Sequence, residues 1–409
     1  MSFISLQPGT GDISGRQIGS SLAMTDPSLE AEAKTIHDRL LTVDTHIDTG
    51  PGFMTSILDP GRITHAQVDL PKMRIGGLDA GFFIVYTGQG TCDDEGYAAA
   101  RLAAEQKFIG ISRMFRAYPK EIGHARTAKD VLEIHATGRL VGLIGMENAY
   151  PLGGSIDDLP MWAARGVCYI SITHFGNNQF GCSSNPNFSR GDSKEDTGLT
   201  VFGEKLISAM NDAGIMVDLS HVGRRTSLEA LSASRAPVIA SHSSVNAVFE
   251  HSRNLDDEQL HAIRDKGGVA QMCAFRGYLG SVATPVSSAL SALRNRLGLN
   301  SSYDTLNASP DKLAAYRRER AEIYSQHPDI TVTHFVDHID YAVKKIGIDH
   351  VGIASDFDGG GGIGGWDTAE ESPNVTIELL RRNYSETDLE KLWGGNILRV
   401  MNEVQAMAR

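Results

Sequence analysis

Leu41-Thr42-Val43-Asp44-Thr45-His46-Ile47-Asp48 is an apolar-edged run that ends on an imidazole and a carboxylate two residues apart. In a β-strand successive side chains alternate faces, so His46 and Asp48 project the same way and can close on one metal ion. Alone, such a pair is a weak signal in a chain with 14 histidines. The fold is decided by repetition of the pattern, a strand-like run stopping on a ligand or an acid. It recurs in Leu143-Ile144-Gly145-Met146-Glu147, Ile215-Met216-Val217-Asp218-Leu219-Ser220-His221, Pro237-Val238-Ile239-Ala240-Ser241-His242 and His350-Val351-Gly352-Ile353-Ala354-Ser355-Asp356. A further run, 167–173, stops on His174. Histidines that only fill a core have no reason to collect at strand ends. Neutral imidazole and carboxylate ligands suit zinc, and a bridging carboxylate suits two ions.

Between these runs lie helical patterns at 97–118, 128–135, 161–165, 201–213, 227–234, 257–266 and 333–346. The strands are expected near Val43, Phe83, Ile144, Tyr169, Val217, Ile239, Ala270 and Ile353. Eight strands alternating with helices predict an α/β protein of the (β/α)8 TIM-like barrel type, whose active site lies at the C-terminal strand ends. A doubly wound open sheet would not gather ligands from the first, third, fifth, sixth and eighth strands around one centre. The expected organisation is an N-terminal arm, 1–35, whose first 28 or so residues are rich in Gly, Ser, Thr and Pro, followed by the (β/α)8 barrel, 36–409. A helical insertion at about 279–330 follows the seventh strand. Its charged run 310–324, with Arg317, Arg318, Glu319, Arg320 and Glu322, reads as a solvated face on an element that caps the barrel mouth or meets a second subunit.

The net charge of −12, from 38 basic and 50 acidic residues, argues against nucleic acid as a partner. Four cysteines without a CxxC pair indicate neither a disulfide framework nor a thiolate zinc site. No signal peptide or membrane-length apolar span is evident, so a cytoplasmic location is expected, or a periplasmic or secreted one if a leader was removed. The run Gly359-Gly360-Gly361-Gly362-Ile363-Gly364-Gly365 lacks the Lys-Ser/Thr of a phosphate loop and reads as a mobile active-site loop. His334 and His338 have metalloprotease spacing without the accompanying glutamate, and read as helix-surface or barrel-packing residues.

Taken together, VDTHID around His46, GMEN around Glu147, SITH ending at His174, DLSH ending at His221, SHSS from Ser241, RNLDD from Arg253, GIDHVGIASDFDG around Asp356 and GGNILRV near the end resemble the membrane (renal) dipeptidase family of zinc peptidases, within the amidohydrolase-like barrels. The resemblance spans about 36–401. It implies two zinc ions: His46 and Asp48 would bind one, His221 and His242 the other, with Glu147 bridging and a hydroxide between the ions as nucleophile. It also implies Asp356 as acid/base, His174 as the oxyanion donor and Arg253 as the grip on the substrate's C-terminal carboxylate. Tyr278 would assist Arg253, although its flank Phe275-Arg276-Gly277 departs from the commoner pattern.

The function so implied is hydrolysis of small dipeptides, including those with a D-residue at the C-terminal position. An amidohydrolase acting on cyclic amides, lactones or other acyl substrates would share the metals without needing Arg253. A non-catalytic, metal-stabilised binding protein would need neither an open metal position nor Asp356. A homodimer is implied by the resemblance alone. The ending Gln405-Ala406-Met407-Ala408-Arg409 offers no hydrophobic tail for the lipid anchor of animal members, and 175–178 lacks their disulfide cysteine. A soluble, bacterial-type member without a membrane anchor is therefore expected.

Overall fold

The computed structural model describes residues 27–409 except 51, 57, 301–303, 305–307 and 328–329. Among these residues nine strands form one sheet: β1 Val43–Asp48, β2 Ala80–Tyr86, β3 Ile122–His124, β4 Leu140–Glu147, β5 Val167–Ser171, β6 Met216–Asp218, β7 Ile239–Ala240, β8 Val269–Cys273 and β9 Val351–Ala354. Eight run in the order β1-β2-β4-β5-β6-β7-β8-β9, and every pairing is parallel. The sheet returns on itself where Ile47 bridges Phe357, with Asp48 N–H donating to the Phe357 carbonyl at 2.9 Å. This is the expected (β/α)8 barrel, with a strand at each of the eight expected places. Sequence reading did not anticipate β3, a three-residue addition pairing with β4 beside the barrel path. It is too short to show an alternation of its own.

The strands read as near-continuous apolar runs because both faces are covered, as parallel sheets require. Along β2 the period of two sorts side chains between two cores: Phe83 and Val85 pack with helix residues Ile111, Met114 and Phe115, whereas Phe82 and Ile84 join Leu143, Tyr169 and Met216. Helices begin where caps satisfy their free N–H groups. Asp93 accepts from Gly96 N at 2.8 Å to open Asp94–Ala117, and capping boxes of Thr127 with Asp130 and Asp256 with Gln259 open Ala128–His135 and Asp257–Asp265.

Among the described residues the helices Arg276–Leu279, Thr284–Leu297 and, third, Pro310–Gln326 lie between β8, the seventh barrel strand, and the helix Val332–Ile346 that leads to β9. The charged run on the third is not simply a solvated face. Arg320 is buried and donates to Gln67 Oε1 at 2.8 Å, while Arg276 stacks its guanidinium 3.7 Å from the centre of the Tyr324 ring. The long aliphatic stems of arginine cover apolar surface while their heads find polar partners. The expected N-terminal tail falls almost wholly outside the described residues; the helix Pro27–His37 crosses the expected arm boundary and buries Ala33, Ile36 and His37.

Candidate active site and metal centre

Six of the strand ends deliver the parts of the site. β1 presents His46 and Asp48, β4 ends on Glu147, and the turns after β5, β6, β7 and β9 carry His174, His221, His242 and Asp356. The cluster is organised around Glu147, which is 3 % exposed. One of its oxygens, Oε2, lies 3.7 Å from His46 Nε2, while Oε1 lies 3.0 Å from His221 Nε2, 3.3 Å from His242 Nε2 and 3.8 Å from His174 Nε2. His46 Nε2 stands 3.4 Å from Asp48 Oδ2. Three overlapping groups could each hold an ion: His46, Glu147 and His242; Glu147, His174 and His221; His46, Asp48 and Asp356. All seven residues therefore meet in one place. Their grouping differs from the expected pairing by joining His242 to His46 and His174 to His221.

The backbone is strained where these side chains turn inward. His221 and Asp356 have φ of 69° and 58°, and Asp358 has 61°, a left-handed conformation costly for residues with a Cβ and common at functional sites. Gly359 follows directly, and any side chain there would overlap the carboxylates of Asp48 and Asp356. The glycine-rich run is pinned against the site. Gly361 N–H donates to the Asp356 carbonyl at 2.7 Å and Gly362 N–H to the Ala274 carbonyl at 3.1 Å.

Arg253 is buried, donating from Nη2 to the His242 carbonyl at 3.0 Å, and its Nε has no partner among the described residues. Tyr278 lies beside it, with 5.1 Å between guanidinium and ring centre. A cavity of about 340 Å³ opens on Arg253 and is bordered by Ser183, Leu219, Val222 and Asn254, but by none of the seven clustered residues. His338 is a packing residue, as expected: its Nδ1 accepts from Val245 N–H at 3.0 Å.

The chain matches the membrane dipeptidase family (peptidase family M19) over residues 30–409. It belongs to that family. Dipeptidase aclJ of Aspergillus oryzae is 30 % identical over 350 residues, covering 84 % of this chain and 72 % of its own. Dipeptidase verJ of Clonostachys rogersoniana is 29 % identical over 409 aligned residues, covering 96 % and 91 %. The crystal structure of the probable dipeptidase PvdM from Pseudomonas aeruginosa superposes with a TM-score of 0.81 at 33 % identity, covering 93 % of this chain and 100 % of that one. This membrane dipeptidase family member is accordingly a metallopeptidase of the dipeptidase class, built on the same barrel. Among its described residues no helix is long and apolar enough to cross a membrane.

The side chains fit a metal. Tyr169 Oη donates to the Thr45 carbonyl at 2.9 Å, so at 3.0 Å it can only accept from His46 Nδ1–H. That leaves a lone pair on His46 Nε2, a buried atom with no hydrogen-bond partner among the described residues. Ser241 Oγ donates to Asp218 Oδ2 at 2.7 Å and thus accepts from His242 Nδ1–H at 2.9 Å, which leaves the lone pair on His242 Nε2, 2.9 Å from His221 Nε2. Metal-binding histidines are commonly oriented through their other nitrogen like this.

Electrostatics agree with the fit. Burial drives His221 and His242 far below the usual imidazole range, into the neutral form that metals bind. Against the same burial, Glu147 and Asp48 raise His46, so its surroundings favour a positive charge. Burial pushes the Asp356 carboxyl well up; His46 opposes the shift, and Asp48 and Glu147 add to it.

Tyr169, Asp218 and Ser241 were missed as site residues by sequence reasoning. Asp218 and Ser241 stand inside the DLSH and SHSS motifs, so a signal was present. Nothing in the linear pattern points Tyr169 at His46, 123 positions away.

Proposed function

We propose that this protein is a binuclear zinc dipeptidase that hydrolyses free dipeptides, including those with a D-residue at the C-terminal position. The observation that carries the reading is Glu147, whose two oxygens face different histidines. His46 and Asp48 would hold one ion, His221 and His242 the other, and Glu147 both. When bound, such a pair lowers the pKa of a shared water and polarises the scissile carbonyl.

The chain's own residues supply the rest. Asp356, surplus to that ligand set and with a raised proton affinity, takes a proton from the attacking water and passes it to the leaving amine as the C–N bond breaks. His174 donates a hydrogen bond to the carbonyl oxygen as it gains charge. Arg253, whose Nε has no partner among the described residues, receives the substrate's C-terminal carboxylate, and Tyr278 flanks it. A grip on that carboxylate measures length, so dipeptides are favoured over longer chains.

The test combines zinc titration of the metal-free protein with a library of L,L and L,D dipeptides, their C-terminal amides and tripeptides. Two zinc equivalents at full activity, with free dipeptides far ahead of amides, are expected. Saturation at one equivalent would remove the binuclear assignment. Equal rates on acids and amides would favour a general amidohydrolase.

A further inference from the structure

Two cations converge on the peptide that follows the ligand Asp48. Lys107, on the helix Asp94–Ala117, donates from Nζ to the Thr49 carbonyl, and Arg317, on the insertion helix Pro310–Gln326, lies against Gly50 so closely that a Cβ there would overlap its guanidinium. Neither has a full complement of negative charge. Lys107 has no carboxylate partner within ion-pair distance among the described residues; its Nζ also sits 5.9 Å from the centre of the Tyr86 ring, which packs 4.8 Å from His174. Arg317 meets Asp358 through Nε at 3.4 Å, and Asp358 is also occupied in accepting from the Gln67 and Val68 N–H groups. The carboxylates facing Lys107 are Asp48 and Glu147, both assigned above to metal, and Arg317 adds repulsion from the other side. Burial draws the Lys107 ammonium below the usual lysine range. A group so placed gains from an incoming anion.

The strand order says which end of a substrate meets this pair. Lys107 and Thr49 lie at the β1–β2 rim, whereas Arg253 follows β7, and β2 and β7 stand four places apart in either direction around the eight-stranded path. If Arg253 holds the C-terminal carboxylate, the Lys107–Arg317 pair faces the other end of a dipeptide across the metal centre. We infer that Lys107 and Arg317 form a subsite for a carboxylate on the side chain of the N-terminal residue, making dipeptides that begin with Glu or Asp preferred substrates. This inference rests on the dipeptidase reading, and it names the substrate class that reading leaves open.

The experiment compares kcat/KM for Glu-Ala, Gln-Ala and Ala-Ala on the zinc-loaded protein and on Lys107→Met, Arg317→Met and Lys107→Arg. Each protein's Glu-Ala to Gln-Ala ratio is its own control for folding and metal content. In the unmodified protein the ratio should be roughly 10 to 150, the span for a hydrogen bond between charged groups. It should fall toward about one in both methionine variants and persist in Lys107→Arg, because the positive charge is what matters. A flat ratio in the unmodified protein, or one that both methionine variants preserve, overturns the subsite while Ala-Ala cleavage leaves the dipeptidase reading standing. Failure to cleave any of the three removes both.

Discussion

Tyr169→Phe isolates the contribution of one hydroxyl to the metal centre. The ring stays, so its packing 5.4 Å from Phe82 is retained, and only Oη is removed. That oxygen accepts from His46 Nδ1 at 3.0 Å and donates to Thr45 O at 2.9 Å, in a fully buried setting. Its loss strands a buried N–H, at a cost of about 1–3 kcal/mol. It also frees the imidazole to rotate and to exchange tautomers, taking the lone pair off Nε2 for part of the time. Removing such an orienting partner typically lowers metal affinity ~10–100-fold, or about 1.4–2.7 kcal/mol. The two estimates agree in size. Zinc affinity is to be measured by competition with a chromophoric chelator, and stability by denaturant unfolding of the metal-free form. If metal-free stability falls by the expected amount while both zinc affinities remain unchanged, His46 Nε2 is not a ligand and the assignment built on its free lone pair fails.

Asp356→Asn should retain its zinc and lose ~10²–10⁴ in kcat, because an amide cannot carry the proton; loss of zinc instead would make Asp356 a ligand, as its proximity to His46 and Asp48 allows. Arg253→Met should lower kcat/KM roughly 10–150-fold on a free dipeptide and far less on its C-terminal amide, and equal losses on the two would show that Arg253 holds structure without reading the carboxylate. His338, buried and with its pKa lowered by that burial to about 4, stabilises the fold fully above the unfolded value. As pH falls from about 6.5 toward 4, up to ~3 kcal/mol should be lost from the metal-free protein, and His338→Gln should flatten that dependence; identical slopes by denaturant unfolding at pH 7 and 4.5 would refute it. Trp393 is fully buried, donates to Thr376 Oγ1 at 3.0 Å and meets His37 edge-on, so Trp393→Ala should cost about 3–5 kcal/mol by denaturant unfolding and Trp393→Phe markedly less.

The barrel was legible because its strands are buried on both faces and carry their functional residues at one end. An uninterrupted apolar run stopping on His, Asp or Glu is visible in one dimension, and β1, β4, β6, β7 and β9 all lead into such a stop. The C-terminal helices Pro373–Arg381 and Asn396–Ala406 were not anticipated, and the two-residue β7 shows how little regular strand a ligand-bearing segment needs. The glycine run 359–365 read as mobile from composition, since composition does not disclose partners. In the fold its amides are taken up by the Asp356 and Ala274 carbonyls, and the small residues serve the close approach of Gly359 to two carboxylates.

The sequence by itself determined the α/β class, the eight strand positions and the residue types that gather at one mouth, because periodicity and strand-end chemistry are local properties of the chain. Only the tertiary structure decided how those residues are tuned and what surrounds them. Tyr169 reaches His46 because β5 stands two places from β2 and its ring projects toward β1. Asp218 orients His242 through Ser241 because β6 lies beside β7. Lys107 and Arg317, some 210 positions apart in the numbering, converge on Thr49 and Gly50 because an insertion helix folds back over the rim. Such contacts depend on three-dimensional closure of the barrel, and no spacing along the chain encodes them.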